Sequence, residues 1–422
     1  MTATISPGRN NPGDPPDRRG GRRAGQVVVG LAAVYIGAVA CGGASSTGGG
    51  AASSSGQKSP IKVMVEGAIS GPVYALPEMV TGAKAAVTRV NSDGGVNGRQ
   101  LQLVVCDDQG NPNNAAACGR TAVSDGVTAL VGGLSVYDDN LLPPLQKANI
   151  PYIASYDISN TDHTSPASFP ININAVDYAG FGTMLAKSGC TAAAGLAPNQ
   201  GGENIIKQDL SYMAKAFTSN GGKTFKDIIF PLTATDLTAD VATALAGGAQ
   251  CVGLITGPQQ TVQALTALQK SGQKIPAGTN LATVVPALFA PLKLAPGSLV
   301  VSGAYFAPGP GQKSTAVAQF VTDMNASHTG GAAGAVDTES ENSYNAVLIF
   351  AQAAKGLSEV TGPNVLKSLN TLTTDTGLTP PVNFGSKPIF PDKPRDRVST
   401  QVPYDWTGTA LKQSGQPFQV GG

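Results

Sequence analysis

The sequence predicts an α/β protein made of two lobes, each a doubly wound parallel sheet with helices on both faces. Three observations carry this. Apolar runs of strand length alternate with amphipathic stretches of helical spacing from Ile61 onward. The alternation pauses once, at "PASFPININAVDYAGFG", and then restarts, which marks two units of one type. The 422 residues are too many for one ordinary core and enough for two.

The chain opens with a polar stretch, Met1 to Gln26, that carries Arg18, Arg19, Arg22 and Arg23. The apolar run "VVVGLAAVYIGAVAC" follows from Val27 and closes on small residues and Cys41. It is short for a bilayer span, and its basic flank fits a signal peptide. Its ending, "AVAC", is similar to a bacterial lipoprotein processing box, except that Ala38 stands where leucine is usual. Residues 1–41 therefore read as a signal peptide cut before Cys41, which would carry lipid; a plain secretory peptide cut near Ala40 is the alternative. Residues 42–60 are a Gly/Ser tether. Export places Cys106, Cys118, Cys190 and Cys251 in an oxidising compartment as an even set. No CxxC pair occurs, so zinc is not implied.

In the first lobe, "IKVMVEGAIS" reads as a buried strand ending in the loop "SGPVY". Leu76, Met79, Val80, Ala83, Val87 and Val90 then recur at helical spacing, and Gly94-Gly95 stops that helix. "QLQLVVCDD" is a strand and "NPNNAAACGRTAVSD" a helix with asparagines suited to its N-cap. "VTALVGG", "NLLPPLQKAN" and "IPYIAS" continue as strand, helix and strand. After the pause, "TAAAGLAP", "FKDIIFPL" and "CVGLITG" are strands separated by the helices "ENIIKQDLSYMAKAFTSNGG" and "ADVATALAGGAQ". The helix "QQTVQALTALQKSG" and the strand "SLVVSGAYFAPGP" follow, and "ENSYNAVLIFAQAAKGL" and the tail "RVSTQVPYDWTGTALKQ" complete the body.

Composition excludes some functions. Charged residues are 13%, with Lys+Arg 28 against Asp+Glu 27, so no basic field exists to hold nucleic acid. No GxSxG, P-loop, HExxH or paired Cys/His motif occurs. Asp107 and Asp108 could be imagined as a glycosidase acid pair, but adjacent side chains on a strand point apart. His163 and His328 lie in weakly patterned loops and read as surface residues. The chain reads as a binding protein, not an enzyme, with no cofactor and no metal.

The run "IKVMVEGAISGPVY", a helix, and then "NSDGGVNGRQLQLVVCDD" closely resembles the start of type I solute-binding proteins of ABC transporters, the leucine/isoleucine/valine-binding family. "LTATDLTADVATALAGGAQCVGLITGPQQTVQALTALQKSG" and the helix holding Tyr344 resemble later parts of the same family. The resemblance implies a type I periplasmic-binding fold with a three-strand hinge near Asn172–Phe181, Tyr305–Pro310 and Leu378–Val382. Lobe 1 would comprise 61–172 and 308–380; lobe 2 would comprise 178–304 and 381–422. It also implies a small-molecule ligand, an ABC permease as partner, membrane attachment through the lipid, and a monomer. A ligand-sensing or envelope-interaction module on the same fold is the alternative, with a hydrolase behind it.

The resemblance places ligand contacts in loops at the strand ends. These hold Ser70 and Tyr74; Ser135, Val136 and Tyr137; Tyr156 and Asp157; Asn199, Gln200 and Asn204; Thr256, Gly257 and Gln259; and Tyr305. The family's amino-acid binders hold a ligand carboxylate with serine and threonine, and its ammonium with an acid from the second lobe. Here the serine falls near Ser135 or Val136, and the threonine near Asp157, Ile158 or Ser159. Gly257 takes the place of a closing tyrosine, and "NLATVV" (Asn280 to Val285) has no acid where one is expected. Asp157 is the one loop acid that could replace it. The cysteines are expected to pair as Cys106–Cys118, a strand end to the next helix, and Cys190–Cys251, at the starts of neighbouring strands.

Overall fold

The computed structural model describes residues 59–71, 75–154, 156–200 and 203–421. Cys41, Tyr74, the signal peptide and almost all of the tether lie outside the described residues. The first lobe runs β1 (Ile61–Gly67), α1 (Glu78–Ser92), β2 (Leu101–Asp107), α2 (Pro112–Ser124), β3 (Ala129–Leu134), α3 (Asp138–Ala148), β4 (Tyr152–Ile153), α4 (Asn160–Thr164) and β5 (Ser168–Phe169). The second runs α5 (Asn174–Lys187), β6 (Ala192–Pro198), α6 (Glu203–Ser219), β7 (Thr224–Phe230), α7 (Thr238–Ala246), β8 (Cys251–Leu254), α8 (Pro258–Lys270), β9 (Ala277–Asn280), α9 (Pro286–Phe289) and β10 (Leu299–Gly303). The chain then returns through α10 (Thr315–Ala326), α11 (Thr338–Ala354), α12 (Gly362–Leu369) and the pair β11 (Thr373–Thr374) and β12 (Val382–Asn383). It ends with β13 (Thr400–Trp406), β14 (Leu411–Gln413) and β15 (Phe418–Gln419).

The first sheet is wholly parallel, in the order β2-β1-β3-β4-β5. Its period-2 pattern sorts side chains between two faces. Ile61, Val63 and Val65 pack with the buried faces of α1 and α11, while Met64 and Leu130 pack with Leu141, Leu142 and Leu145 of α3. Gly82 lets α1 approach α11 closely, because a Cβ there would lie 2.1 Å from the Ser340 carbonyl oxygen. Gly95 holds φ +74 and returns the chain toward β2; a Cβ there would meet the Arg99 carbonyl at 2.1 Å.

The second sheet has the order β14-β13-β10-β9-β8-β6-β7, with β15 on β13. Strands β6 to β10 are parallel, but β13 pairs antiparallel with β10 and β14 antiparallel with β13. The tail thus adds an antiparallel edge to a sheet expected to be parallel throughout. The sequence also shows only a pause where α5 stands. Eleven of its residues are buried, so it lacks the polar stripe that makes a helix readable.

Three passages connect the lobes, at 170–174, 304–314 and 384–399. The third falls later than Leu378–Val382. It is held to both sides: the Arg395 guanidinium lies 4.2 Å over the Phe169 ring, while Phe390 packs at a tilt against Tyr212 of α6, ring centroids 4.8 Å apart.

At the centre of the passages sits a buried polar node. The Asn342 amide donates to the Ala154 carbonyl at 2.8 Å and accepts from Asn172 at 3.1 Å and the Tyr305 hydroxyl at 2.7 Å. Tyr404 donates to the Tyr305 carbonyl at 2.7 Å and accepts from the Ala307 amide at 2.8 Å.

Both expected disulfides are present. Cys106–Cys118 joins β2 to α2 with Cα atoms 5.8 Å apart, and Cys190–Cys251 joins the adjacent strands β6 and β8 at their starts, 6.3 Å apart. Replacing Cys106 and Cys118 together by alanine is expected to cost about 3 kcal/mol, the closure entropy of so short a loop. Urea unfolding of the variant against wild type measures this, and an unchanged midpoint would contradict it.

Candidate functional site

The carboxyl ends of the parallel strands in both sheets open on one cleft, the edge at which such sheets take ligands. A cavity of about 700 Å³ lies there. Lobe 1 lines it with Gly71, Gln109, Gly110, Val136 and Tyr137; lobe 2 lines it with Gln200, residues 232–235, Gly257, Gln259, Gln260 and Gln263. Among the described residues of this wall there is no aspartate, glutamate, histidine, lysine or arginine, and the polar side chains are amides and hydroxyls. Among the expected contact residues, Val136, Tyr137, Gln200, Gly257 and Gln259 are brought together here.

The paired carboxylates at the end of β2 build the loops of this edge. Asp107 Oδ1 accepts from the amides of Ile69 at 3.0 Å, Ser70 at 3.1 Å and Gln109 at 3.0 Å, and Ser70 Oγ donates to Oδ2. Burial alone would raise its pKa, but these bonds outweigh that and hold it below the usual value. Asp108 accepts from the Gly110 amide at 2.8 Å and from Ser135 Oγ at 2.5 Å, tying the β2 loop to the β3 loop. The N-cap of α2 is Asn111.

Several expected contacts have other work. Ser135 is buried, with its one hydroxyl proton given to Asp108 and a lone pair taken by the Tyr137 amide, so it is not free to hold a ligand carboxylate. The Ser70 hydroxyl is likewise spent on Asp107. Thr256 shares a 2.6 Å bond with Thr261 at the start of α8. Tyr305 is fully buried in the hinge node rather than facing the cleft. Asp157 is 2% exposed; its Oδ1 accepts from the Asn174 amide at 2.6 Å and fixes the start of α5, while its buried Oδ2 stands 3.6 Å from His163 Nδ1 without a hydrogen bond. Asn199 and Asn204 are exposed and line neither interlobe cavity. His163, expected at the surface, is half-buried with Nδ1 at 2.9 Å from Asp396; sequence spacing gave no sign of a partner 233 residues away.

The sequence also hid two acid groups. Glu66, Asp138 and Asp162 sit buried under the first-lobe loops. Burial, then the neighbouring carboxylates, pushes Glu66 and Asp138 well above the usual carboxylate range, and burial pushes Asp162 up to about 7. The second group, Glu78, Asp337 and Glu339, has carboxylate oxygens within 4.8 Å of one another where α1 and α11 begin. By distance it could hold a cation, as could Asp157, His163 and Asp396. Burial raises Glu78 to about 7, and burial with Asp337 raises Glu339 to about 8. Tyr156, 6% exposed, faces Glu339.

These raised values set a pH dependence. Below the unfolded carboxylate value, both folded and unfolded states hold the protons, and stability is complete. As pH climbs from the unfolded value toward the folded ones, the unfolded state releases protons that the folded state retains, and stability falls until the folded values are passed. Calorimetric melting should therefore show a lower Tm at about pH 8 than at about pH 5. Asp162→Asn, which keeps an acceptor for the Ser159 amide, should shrink that difference; an unchanged slope would contradict it.

Two hinged parallel-sheet lobes around a cleft at their strand ends define a class of ligand-trapping proteins. Residues 60–390 match the family profile described as periplasmic binding protein, and the chain belongs to that family. Over 75 residues it is 43% identical to the Leu/Ile/Val-binding protein of Escherichia coli (strain K12), covering 18% of this chain and 20% of that one. Over 73 residues it is 41% identical to the leucine-, isoleucine-, valine-, threonine- and alanine-binding protein of Pseudomonas aeruginosa, covering 17% of this chain and 20% of that one. The match thus spans about one fifth of these relatives' length. Among solved structures, the Streptococcus pneumoniae branched-chain amino acid binding protein in complex with isoleucine superposes with TM-score 0.66 at 15% identity, covering 85% of this chain and 99% of that one. An R. palustris solute-binding protein in complex with benzoate gives 0.66 at 15%, covering 84% and 96%. A Thermomonospora curvata fatty acid ABC transporter substrate-binding protein gives 0.65 at 18%, covering 85% and 92%.

Proposed function

We propose that this chain is the extracytoplasmic solute-binding component of an ABC importer, capturing a small polar solute between its lobes and delivering it to a permease. The observation that carries the reading is the cavity of about 700 Å³ whose wall comes from both lobes. A solute touching both walls gains contacts only when the lobes are together, so binding shifts the population toward the closed form. The amides of Gln109, Gln200, Gln259 and Gln260 and the Tyr137 hydroxyl suit a neutral polar body.

Export and a lipid at Cys41 complete the reading. The apolar run, the small residues before Cys41 and the tether behind it support the anchor. Two disulfides accord with an oxidising compartment. Cys41→Ala should release the protein from the membrane fraction or leave its precursor uncut; unchanged fractionation and processing would remove the anchor from the account.

Thermal-shift screening of the mature protein against amino acids, amides, short acids and sugars tests the central function. Gly257 in place of a closing tyrosine, and the absence of an acid in Asn280–Val285, lead us to expect weak binding of leucine, isoleucine and valine. Tyr137→Ala should weaken the solute that binds by about tenfold or more, since losing a packed aromatic contact in an interface costs over about 1.4 kcal/mol. Unaltered affinity by calorimetry would take the solute out of this cavity.

A further inference from the structure

A second cavity, of about 130 Å³, lies between the lobes away from the amide-lined one. One wall is the start of α11, with Asp337, Thr338, Glu339 and Glu341; the other includes Leu281–Val285, Trp406 and Leu411. That second wall contains the very stretch in which the lobe-2 acid is missing. The acids stand opposite it, on the lobe-1 side.

Helix-start electrostatics explains part of this. Asp337 caps α11, accepting from the Ser340 amide at 3.1 Å, and acids in a first turn complement the helix dipole. It does not explain Glu341, which is 1% exposed with Oε1 lacking any hydrogen-bond partner. Nor does it explain Trp406, 3% exposed, whose indole Nε1–H on the facing wall is also unpartnered. A buried acceptor and a buried donor, both unused, line one small space, and each costs free energy until something fills it. Among the described residues no lysine or arginine lines the cavity, and the charged neighbours that act on Glu78, Glu339 and Glu341 are themselves acids.

We propose that this cavity is a subsite for the positively charged nitrogen of an organic solute, an amine or quaternary ammonium. Glu339 and Glu341 supply the counter-charge, and the Trp406 indole supplies a donor and an aromatic face. Leu281, Val284, Val285 and Leu411 give the carbon around the nitrogen an apolar seat, which a bare metal ion would not use. The space equals about four water molecules, room for a headgroup rather than a whole large ligand. The subsite rests on the solute-binding reading and narrows it: the solute carries a cationic end.

The test is calorimetry and thermal melting of the mature full-length protein with choline, ethanolamine and putrescine. Neopentyl alcohol serves as an uncharged body, acetate as an anion and calcium chloride as an inorganic cation. At least one organic cation should bind and raise the Tm, and neopentyl alcohol should not. Glu339→Gln and Glu341→Gln should each raise the Tm of the ligand-free protein at neutral pH, because a carboxyl there must take up a proton or bury a charge on folding and an amide need do neither. Each should nevertheless weaken the cation by at least tenfold. A merely structural role would not move stability and affinity in opposite directions. Cation binding that is unaltered in both variants, no binding of any organic cation, or loss in the variants of calcium binding alone would each overturn the subsite. If acetate or a neutral solute binds while organic cations do not, the subsite falls and the solute-binding reading stands. If no member of this panel or of the wider solute screen binds, both fall.

Discussion

The hydrogen-bond node around Asn342 is the constraint on which the arrangement depends. One buried amide holds the end of β4 through Ala154, the first passage through Asn172 and the second through Tyr305. Tyr404 then carries the connection to β13, the strand that the third passage enters. Each of these groups is buried, so none can exchange its partner for water without a desolvation cost. Two lobes that share few sequence neighbours are thereby registered at one point. Loops on either side of that point can face each other repeatedly in the same geometry, which a trapping cleft requires.

The same economy governs the carboxylates. The acids nearest the cleft in sequence, Asp107 and Asp108, organise backbone amides and serine hydroxyls into loops. Buried carboxylate oxygens without a partner remain under the first-lobe loops, at Glu66 and Asp138, and where α11 begins, at Glu341, beside the group of Glu78, Asp337 and Glu339. Chemical availability at this site follows from which hydrogen-bond partners are already taken, not from which residues sit on loops.

Much of the fold was legible. Regular alternation exposed the lobes, and glycine turns fixed where helices ended. The cysteine pairing followed once strand adjacency was assumed. Helix α5 was invisible because it is buried all round and shows no amphipathic period. The antiparallel edge of β13 and β14 was hidden because pairing direction leaves no local trace in a short apolar run. For the site, strand-end position pointed to loops that border the cavity of about 700 Å³ but could not say where side chains point. Val136, Tyr137, Gln200, Gly257 and Gln259 line the cleft, whereas Ser135 and Tyr305 are engaged by neighbours and Asp157 is buried at the start of α5. The facing of Glu339 and Trp406, far apart in sequence, emerges only from packing.

The claim that a solute closes the two lobes about the Asn342 node is tested most directly by small-angle X-ray scattering. The mature protein would be measured alone and saturated with whichever solute stabilises it most. The account predicts a smaller radius of gyration on saturation, reversed when the solute is removed. A radius that does not change while calorimetry shows full occupancy would contradict it.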